Sequence, residues 1–258
     1  MKEGNKMNEK LERYDEIGNW DFSDINFIAE YQNNWDMYEE IKKYSNEKSL
    51  ILDLGTGGGE KVLSNMPTNV GMIIGTDLSP KMIDTAKENL KSHPDLKVKF
   101  SVMDNLKIEF PNGIFDIVSA RHTIINAKEI YRVLNENGVL IVRGVDKFDS
   151  WDLKELFGGG QCFNDEIAIS KKDYEDIKEA GFKNVEQIEI KANEYYKTKE
   201  DLLALLLKVP ILDEFSMKIR NEEILNKKLD LFEEYVKKNT TPKGILLKRV
   251  YYGIIAKK

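Results

Sequence analysis

Glycines recur at alternate positions in a short segment that could hold a ligand. The segment runs Asp53-Leu54-Gly55-Thr56-Gly57-Gly58-Gly59, and a continuous apolar stretch from Leu50 to Leu54 leads into it. Glycine allows positive φ and lets a ligand approach the backbone, and a helix that follows presents unpaired N–H groups at its start. The pattern predicts a ligand cradle made of Asp53, Gly55, Thr56, Gly57 and Gly59.

Two carboxylates stand just after later apolar runs. Asp77 follows the run from Met72 to Thr76, and Asp104 follows the run from Val98 to Met103. In open α/β sheets, ligands bind where strands end, and a carboxylate after the second strand can accept hydrogen bonds from both ribose hydroxyls of an adenosine. The spacing therefore predicts a nucleoside ligand.

The glycine segment and the two carboxylates must be positioned by the surrounding elements. The sequence has seven apolar runs, and helical patterns lie between most of them. Continuous apolar strands indicate a parallel sheet covered on both faces, and right-handed crossovers favour a doubly wound arrangement. We therefore predict an α/β fold with a Rossmann-like, doubly wound, seven-stranded and mostly parallel sheet. The predicted strands are Leu50 to Leu54, Met72 to Thr76, Val98 to Met103, Phe115 to Ala120, Val139 to Val145, Val185 to Ile190 and Ile245 to Ala256.

Other segments add to this sheet. The spacing of apolar residues from Asp21 to Lys43 predicts a helical segment, so we divide the chain into an N-terminal helical lid, 1–48, and a domain, 49–258. About 50 residues separate the sixth and seventh strands. This is far more than a hairpin loop and predicts a helical insertion at about 198–242. Asn135 to Gly138 is predicted to form a turn.

The glycine spacing distinguishes two kinds of nucleotide-binding protein. A nicotinamide dehydrogenase needs glycine or alanine three residues after its second glycine, where helix and strand pack closely, and this chain has Glu60 there. The alternation of Gly55, Gly57 and Gly59 after Asp53 instead resembles motif I of the class I S-adenosylmethionine-dependent methyltransferases.

This resemblance covers residues 50–146 and implies roles for several side chains. The segment from Gly75 to Met82 resembles the second motif of the family, which implies that Asp77 holds the ribose while Leu78 and Met82 flank the adenine. Met103-Asp104-Asn105 resembles the third motif, which implies that Asp104, with Asn105 beside it, meets the adenine amino group.

The end of the fourth predicted strand completes the implied cofactor site. Phe115 to Ala120 resembles the strand that ends under the methionine portion of the cofactor, so Ala120 and Arg121 are implied to contact it. The segment Leu134 to Val142 resembles the turn before the fifth strand, with Asn137 in place of the usual proline. The pattern is most similar to the branch with ubiquinone and menaquinone biosynthesis methyltransferases and many small-molecule enzymes, with S-adenosyl-L-methionine as the cofactor.

Polar and aromatic residues near this site each allow two interpretations. His122 could act as a general base, or it could be a polar residue that shapes the loop. Arg121 could form a salt bridge within the loop or meet an anionic group. Aromatic residues before the first strand could cover the site as a lid or simply pack at helical spacing; they are Tyr14, Trp20, Tyr31 and Trp35.

The inserted segment is equally open to two interpretations. Its apolar residues could line an acceptor site or seal the insertion onto the sheet; they are Leu202, Leu203, Leu206, Leu207, Ile211 and Leu212. The lysines near the end of the chain could suggest an RNA surface. However, most of them alternate with glutamate and aspartate, as on a solvated helix face.

Composition narrows the possible partners and the location. The formal net charge of −6 provides no general attraction for phosphate backbones, so nucleic acid is disfavoured as a partner. The single cysteine cannot form an internal disulfide, no metal site is predicted, and no apolar segment has the length of a membrane span. We expect a cytoplasmic protein. The sequence leaves its oligomeric state open.

We therefore predict an S-adenosylmethionine-dependent methyltransferase that acts on a small-molecule acceptor by proximity and orientation. The alternatives are an RNA or protein methyltransferase and a non-catalytic sensor that binds S-adenosylmethionine.

Overall fold

One mixed sheet of nine strands forms the centre of the structure. The computed structural model describes residues 22–212 and 222–258. The strands are β1 (Phe27–Tyr31), β2 (Leu50–Leu54), β3 (Met72–Asp77), β4 (Val98–Val102), β5 (Phe115–Arg121), β6 (Leu134–Val145), β7 (Lys183–Tyr196), β8 (Thr240–Thr241) and β9 (Gly244–Lys257).

The seven predicted strands lie in the order β4-β3-β2-β5-β6-β9-β7. Strands β4, β3, β2, β5 and β6 pair in parallel, while β9 is antiparallel to both β6 and β7. The chain leaves β2 towards β3 on one side and later returns to β5 on the other. Such a change of direction opens a crevice beyond the carboxyl ends of the strands. The predicted Rossmann-like, mostly parallel sheet is confirmed.

Two strands were not predicted. Strand β1 pairs antiparallel with β7 at the edge of the sheet, and β8 pairs only with β9. The helix predicted from Asp21 to Lys43 is thus wrong for its first half, and the described helix begins at Met37 after an Asp36 N-cap. Residues 27–31 gain ladder hydrogen bonds on the open edge of β7, and this pairing overrides the local apolar spacing.

The predicted turn from Asn135 to Gly138 is also wrong, because these residues belong to β6. The pairing of β6 with β5 shifts register between Phe115 and Ile117. A bulge of this kind accommodates extra residues without ending the strand.

Eight helices are described, and none of them is long and apolar enough to cross a membrane. They are α1 (Met37–Tyr44), α2 (Glu60–Asn65), α3 (Pro80–Leu90), α4 (Ala127–Val133), α5 (Trp151–Phe157), α6 (Ile169–Glu179), α7 (Lys199–Lys208) and α8 (Glu222–Asn239).

Helices cover both faces of the sheet. On one face, Met37 and Ile41 of α1 share an apolar cluster with residues of α2 and α3 and with Ile51, Ile117 and Ile141 of the strands. On the other face, residues of α4 and α6 pack in a second cluster of buried side chains. The continuous apolar strands noted in the sequence are explained by this burial on both faces.

The inserted helices α7 and α8 lie in the chain between β7 and β9, as predicted. Their buried side chains pack with Leu153 of α5 and with the ends of β7 and β9 in a third apolar cluster. Four of the six apolar residues singled out in the insertion are buried there, and Leu203 packs against the cluster; the four are Leu202, Leu206, Ile211 and Leu212. These side chains therefore seal the insertion onto the domain.

A buried ion network joins β7, β9 and the loop after β6. Arg249 of β9 donates from Nε and Nη2 to the two carboxylate oxygens of Asp149, at 2.8 and 3.1 Å. Its Nη1 donates to Glu194 of β7 at 2.9 Å. All three side chains are less than a tenth exposed. The network fixes the loop after β6 against β7 and β9.

We predict that Arg249→Met destabilises the protein by roughly 3–5 kcal/mol, because it leaves two buried carboxylates without their cation. The matched control is Lys248→Ala, which removes an exposed pair with Asp152 and should cost less than about 1 kcal/mol. Urea unfolding of both variants measures the two losses. Equal, small losses would contradict the structural role of the network.

Candidate functional site

The glycine turn between β2 and α2 depends on left-handed backbone. Gly55, Gly57 and Gly59 have φ values of +69°, +58° and +78°. Residues with a Cβ rarely adopt this region, which explains the alternation seen in the sequence. Between the glycines, the Thr56 N–H donates to the carbonyl of Thr76 at 2.8 Å and ties the turn to β3.

Close approach as well as backbone angle requires glycine here. A Cβ on Gly55 would lie 2.6 Å from the Cβ of Thr123, in the loop after β5. A Cβ on Gly75 of β3 would lie 2.7 Å from the ring of Phe100. The turn, β3 and the loop after β5 therefore pack together with no room for a side chain at either position.

Asp77 lies directly beside this turn. It is the last residue of β3, and its two carboxylate oxygens accept hydrogen bonds from the N–H groups of Gly57 at 2.9 Å and Ser79 at 3.0 Å. Burial raises the pKa of Asp77 above its usual value, although these backbone donors act in the opposite direction. The carboxylate is thus held at the carboxyl end of β3, as the sequence predicts for a ribose ligand.

Asp53 is a second carboxylate, located within the sheet beneath the turn. It is 6% exposed, and the Ser119 hydroxyl of β5 donates to its Oδ1 at 2.6 Å. Burial raises the pKa of Asp53 to about 6, against the effect of the Ser119 hydrogen bond. Asp53 therefore links the end of β2 to the end of the neighbouring strand β5.

Asp104 and Asn105 lie in the loop after β4. Asp104 accepts the N–H of Leu106 at 2.8 Å, and Nδ2 of Asn105 donates to the Thr123 hydroxyl at 2.9 Å. The Oδ1 atom of Asn105 is buried and has no hydrogen-bond partner in the described part of the chain. A buried acceptor normally has a partner, so this oxygen is suited to an N–H donor such as an adenine amino group.

The apolar residues assigned to the adenine differ in exposure. Leu78 follows β3 and is partly exposed, whereas Met82 in the first turn of α3 is only 1% exposed. The Ser79 hydroxyl caps α3 by accepting the N–H of Met82 at 3.2 Å. Contact of these two side chains with adenine stays a prediction.

Ala120 and Arg121 end β5 next to the glycine turn. Ala120 is fully buried and Arg121 is partly exposed. Within residues 22–212 and 222–258, Arg121 forms no ion pair. The salt bridge considered for Arg121 is thus not found there.

His122 adopts left-handed backbone at φ +54° and is held by Arg143 of β6. Its N–H donates to the Arg143 carbonyl at 2.8 Å, its Nε2 lies 2.5 Å from the Arg143 guanidinium, and its ring stacks on Tyr251 with centroids 5.5 Å apart. His122 is an exposed residue, but the side chains packed around its imidazole reduce the hydration of the charged form. This desolvation, together with the charges of Arg121, Arg143 and Arg249, lowers the pKa of His122 well below its usual value.

These contacts bear on the two interpretations of His122. Guanidinium groups carry only donors, so Nε2 of His122 must be the acceptor in its contact with Arg143. The imidazole is then neutral and its basic lone pair is already engaged. This arrangement favours a shaping role for His122 over the general-base role.

Aromatic side chains of the N-terminal segment reach the same strand ends. Burial raises the pKa of Tyr38 in α1. The charges of Asp53, Arg121 and Arg143 also act on this pKa, so Tyr38 lies near all three side chains. The ring of Trp35 packs against Gly253 of β9, where a Cβ would lie 2.8 Å from it. Tyr31 is about half exposed on β1. Tyr14 and Trp20 lie outside the described residues.

Several residues of the site were not found from the sequence. Arg143 had a visible signal, since a charge interrupts the apolar run from Val139 to Val145. Ser119 and Thr123 carried no such signal, because their partners Asp53 and Gly55 are distant in the chain.

A family model described as a methyltransferase domain matches residues 52–142, which contain the glycine turn, Asp77 and Asp104. Residues 52–142 therefore form a methyltransferase domain. The resemblance inferred from the sequence is confirmed, and S-adenosylmethionine is the cofactor of this domain. The buried acceptor of Asn105 fits such a ligand.

Solved structures share the fold at low sequence identity. The YcgJ protein of Bacillus subtilis is 17% identical, with a TM-score of 0.58 over 86% of this chain and 97% of that one. A candidate methyltransferase of Bacillus halodurans is 19% identical, with a TM-score of 0.56 over 86% and 98%. The [4+2]-cyclase SpnF is 17% identical, with a TM-score of 0.52 over 86% and 79%.

Curated relatives of the methyltransferase domain differ in the acceptors that they are named for. The ribosomal protein L11 methyltransferase of Clostridium perfringens is 25% identical over 118 residues, 42% of this chain and 35% of its own length. The demethylmenaquinone methyltransferase of Lactococcus lactis is 31% identical over 151 residues, 53% of this chain and 59% of its own length. The chain thus spans about a third of the first of these relatives and somewhat over half of the second.

We predict that Gly55→Ala costs roughly 1–3 kcal/mol more stability than Gly113→Ala, because only the first substitution forces a side chain into its neighbours. Both glycines have φ +69°, but a Cβ on Gly113 would meet nothing within 4 Å. Urea unfolding of the two variants separates the cost of close packing from the cost of backbone strain. Equal losses would show that the loop holding Thr123 yields easily.

Proposed function

We propose that this protein transfers the methyl group of S-adenosylmethionine to a small-molecule acceptor at the carboxyl ends of β2, β3, β5 and β6. In this proposal, Asp77 accepts hydrogen bonds from the ribose hydroxyls, and Asp104 with Asn105 meets the adenine amino group. The remaining cofactor contacts come from residues of the glycine turn, of α3 and of the end of β5, namely Asp53, Gly55, Thr56, Gly57, Gly59, Leu78, Met82, Ala120 and Arg121.

The reaction requires little acid–base catalysis by residues of the chain. When bound, the cofactor supplies a methyl group on a positively charged sulfur, which is already a strong electrophile. The residues of the chain then have to align the acceptor and exclude water. The engaged Nε2 of His122 is consistent with transfer by proximity and orientation.

A small acceptor is supported by side chains of the N-terminal segment near the strand ends. Helix α1 packs on the sheet, and its partly buried Tyr38 lies near Asp53, Arg121 and Arg143. We propose that the N-terminal segment, 1–48, acts as a lid over the acceptor. A site covered by the chain itself suits a small molecule better than the surface of a folded protein.

The names of the relatives favour two acceptor classes. Demethylmenaquinone methyltransferases support a small acceptor, and ribosomal protein L11 methyltransferases make a protein acceptor the second candidate. The net charge of −6 argues against RNA. The chain also shares its fold with a cyclase, and a shared fold does not by itself define the reaction. A cytoplasmic location remains part of this proposal.

The proposal predicts that label from methyl-labelled S-adenosylmethionine appears in a metabolite extract incubated with the protein. Equal incubations with ribosomal protein and with RNA should stay unlabelled. Label in the protein fraction would favour the second candidate. Tight binding of S-adenosylmethionine without transfer to any fraction would favour the non-catalytic sensor.

The variant for this assay is Asp77→Ala, which removes the proposed ribose contact. Affinity for S-adenosylhomocysteine should fall on the order of ten- to a hundred-fold, as expected for lost hydrogen bonds to a charged group. Asp84→Ala, an exposed carboxylate on α3, is the matched control and should bind like the parent. Unchanged binding by Asp77→Ala in a folded protein would overturn the ribose assignment.

A further inference from the structure

We infer that Arg121 and Arg143 together form an anion-binding site that holds a carboxylate or phosphate group of the methyl acceptor. This inference rests on the proposed function, because it assigns chemistry to the acceptor of that reaction.

The two arginines are neighbours across the sheet. Arg121 at the end of β5 and Arg143 near the end of β6 are paired in the parallel register. Paired residues of adjacent strands project to the same face, so their side chains emerge side by side. Their charges act on each other strongly enough that, after burial, Arg121 is the main cause of the lowered pKa of Arg143. Two like charges in this arrangement attract an anion.

The nearby carboxylates of the described residues form no ion pair with these arginines. Asp149 and Glu194 are both bound to Arg249. Asp53 accepts the Ser119 hydroxyl and forms no ion pair with either arginine of the site. In the part of the chain that the structure describes, neither Arg121 nor Arg143 has a carboxylate at ion-pair distance.

Other contacts hold Arg143 in place without supplying a negative charge. Its guanidinium carbon lies 4.2 Å from the ring centroid of Tyr251, and one of its nitrogens contacts Nε2 of His122. The Tyr251 hydroxyl donates to Glu194, which belongs to the buried Arg249 network. A guanidinium fixed in this way loses little freedom when it binds, which favours recognition of an oxyanion.

Tyrosines complete the surroundings. Tyr31 and Tyr251 both act on the pKa of Arg143, and Tyr38 is acted on by both arginines. Tyr31 and Tyr38 therefore place two phenols near the pair. A phenol hydroxyl can donate a hydrogen bond to an oxygen of a carboxylate or phosphate. Two oxygens of either group can also accept the paired N–H donors of an arginine.

Arg121 is itself assigned to the cofactor, so the position of Arg143 decides between cofactor and acceptor. The residues assigned to the cofactor lie on or after β2, β3, β4 and β5 and in α3, whereas Arg143 lies on β6, one strand further along the sheet, which favours the acceptor. The carboxylate of the cofactor is nevertheless a second source of the same chemistry. The experiment must therefore separate these two sources.

The direct test uses inorganic phosphate and acetate as probes. Protein labelled with ¹⁵N in its arginines is saturated with S-adenosylhomocysteine, and each anion is titrated while the arginine Nε–H signals are followed by NMR. We expect saturable shifts of the Arg143 signal at millimolar anion, and no saturable shift of the remaining arginine signals in Arg143→Met. Absence of saturable shifts in the parent protein would overturn the inference.

Cofactor affinity separates the two anion sources. Arg143→Met should bind S-adenosylhomocysteine within about two-fold of the parent, as should Lys171→Met, an exposed charge on α6 that serves as the control. If Arg143→Met weakens S-adenosylhomocysteine binding but not binding of 5′-methylthioadenosine, which lacks the carboxylate, the pair belongs to the cofactor. If the anions shift the arginine signals only in protein without S-adenosylhomocysteine, the pair likewise belongs to the cofactor. Either result overturns the acceptor assignment.

The labelled product provides an independent readout. Methylated product formed in a metabolite extract should contain a carboxylate or phosphate group by mass spectrometry, and its yield at limiting extract should fall on the order of ten- to a hundred-fold in Arg143→Met. A product with neither group would overturn the inference while leaving methyl transfer intact. If no fraction is methylated, the proposed function fails, but the phosphate titration still decides whether the arginine pair binds anions.

Discussion

Parallel pairing of β2 with β3 and β5 is the constraint on which the site depends. It brings the ends of three strands from distant parts of the chain to one edge of the sheet. The hydrogen bond from the Gly57 N–H to the Asp77 carboxylate then joins the turn after β2 to the end of β3. The left-handed glycines allow this approach, and Asp53, bonded to Ser119, fixes β5 on the other side.

The edge of the sheet has two parts with different chemistry. The part around β2, β3 and β4 offers carboxylates and backbone N–H groups, which suit the sugar and base of a nucleoside. The part around β5 and β6 offers Arg121 and Arg143, and the buried network of Arg249 supports it through Tyr251. In the proposed function, the donor and the acceptor therefore bind at neighbouring strands.

The donor part could be predicted from the sequence because its signals are local. The glycine turn, Asp77 and Asp104 each follow an apolar run directly, and all seven predicted strands are present. Strand β1 was missed because its pairing with β7 involves residues more than 160 positions apart. The support of Arg143 by Tyr251 was missed for the same reason, since it requires β9 to lie antiparallel beside β6. Local patterns carry no information about such partners.

Calorimetry of the protein with S-adenosylhomocysteine and, separately, with NAD tests the central claim most directly. The glycine turn with Glu60 at the position of the third dehydrogenase glycine, together with Asp77, predicts that one molecule of S-adenosylhomocysteine binds per chain and that NAD does not bind measurably. Binding of NAD without binding of S-adenosylhomocysteine would contradict the account.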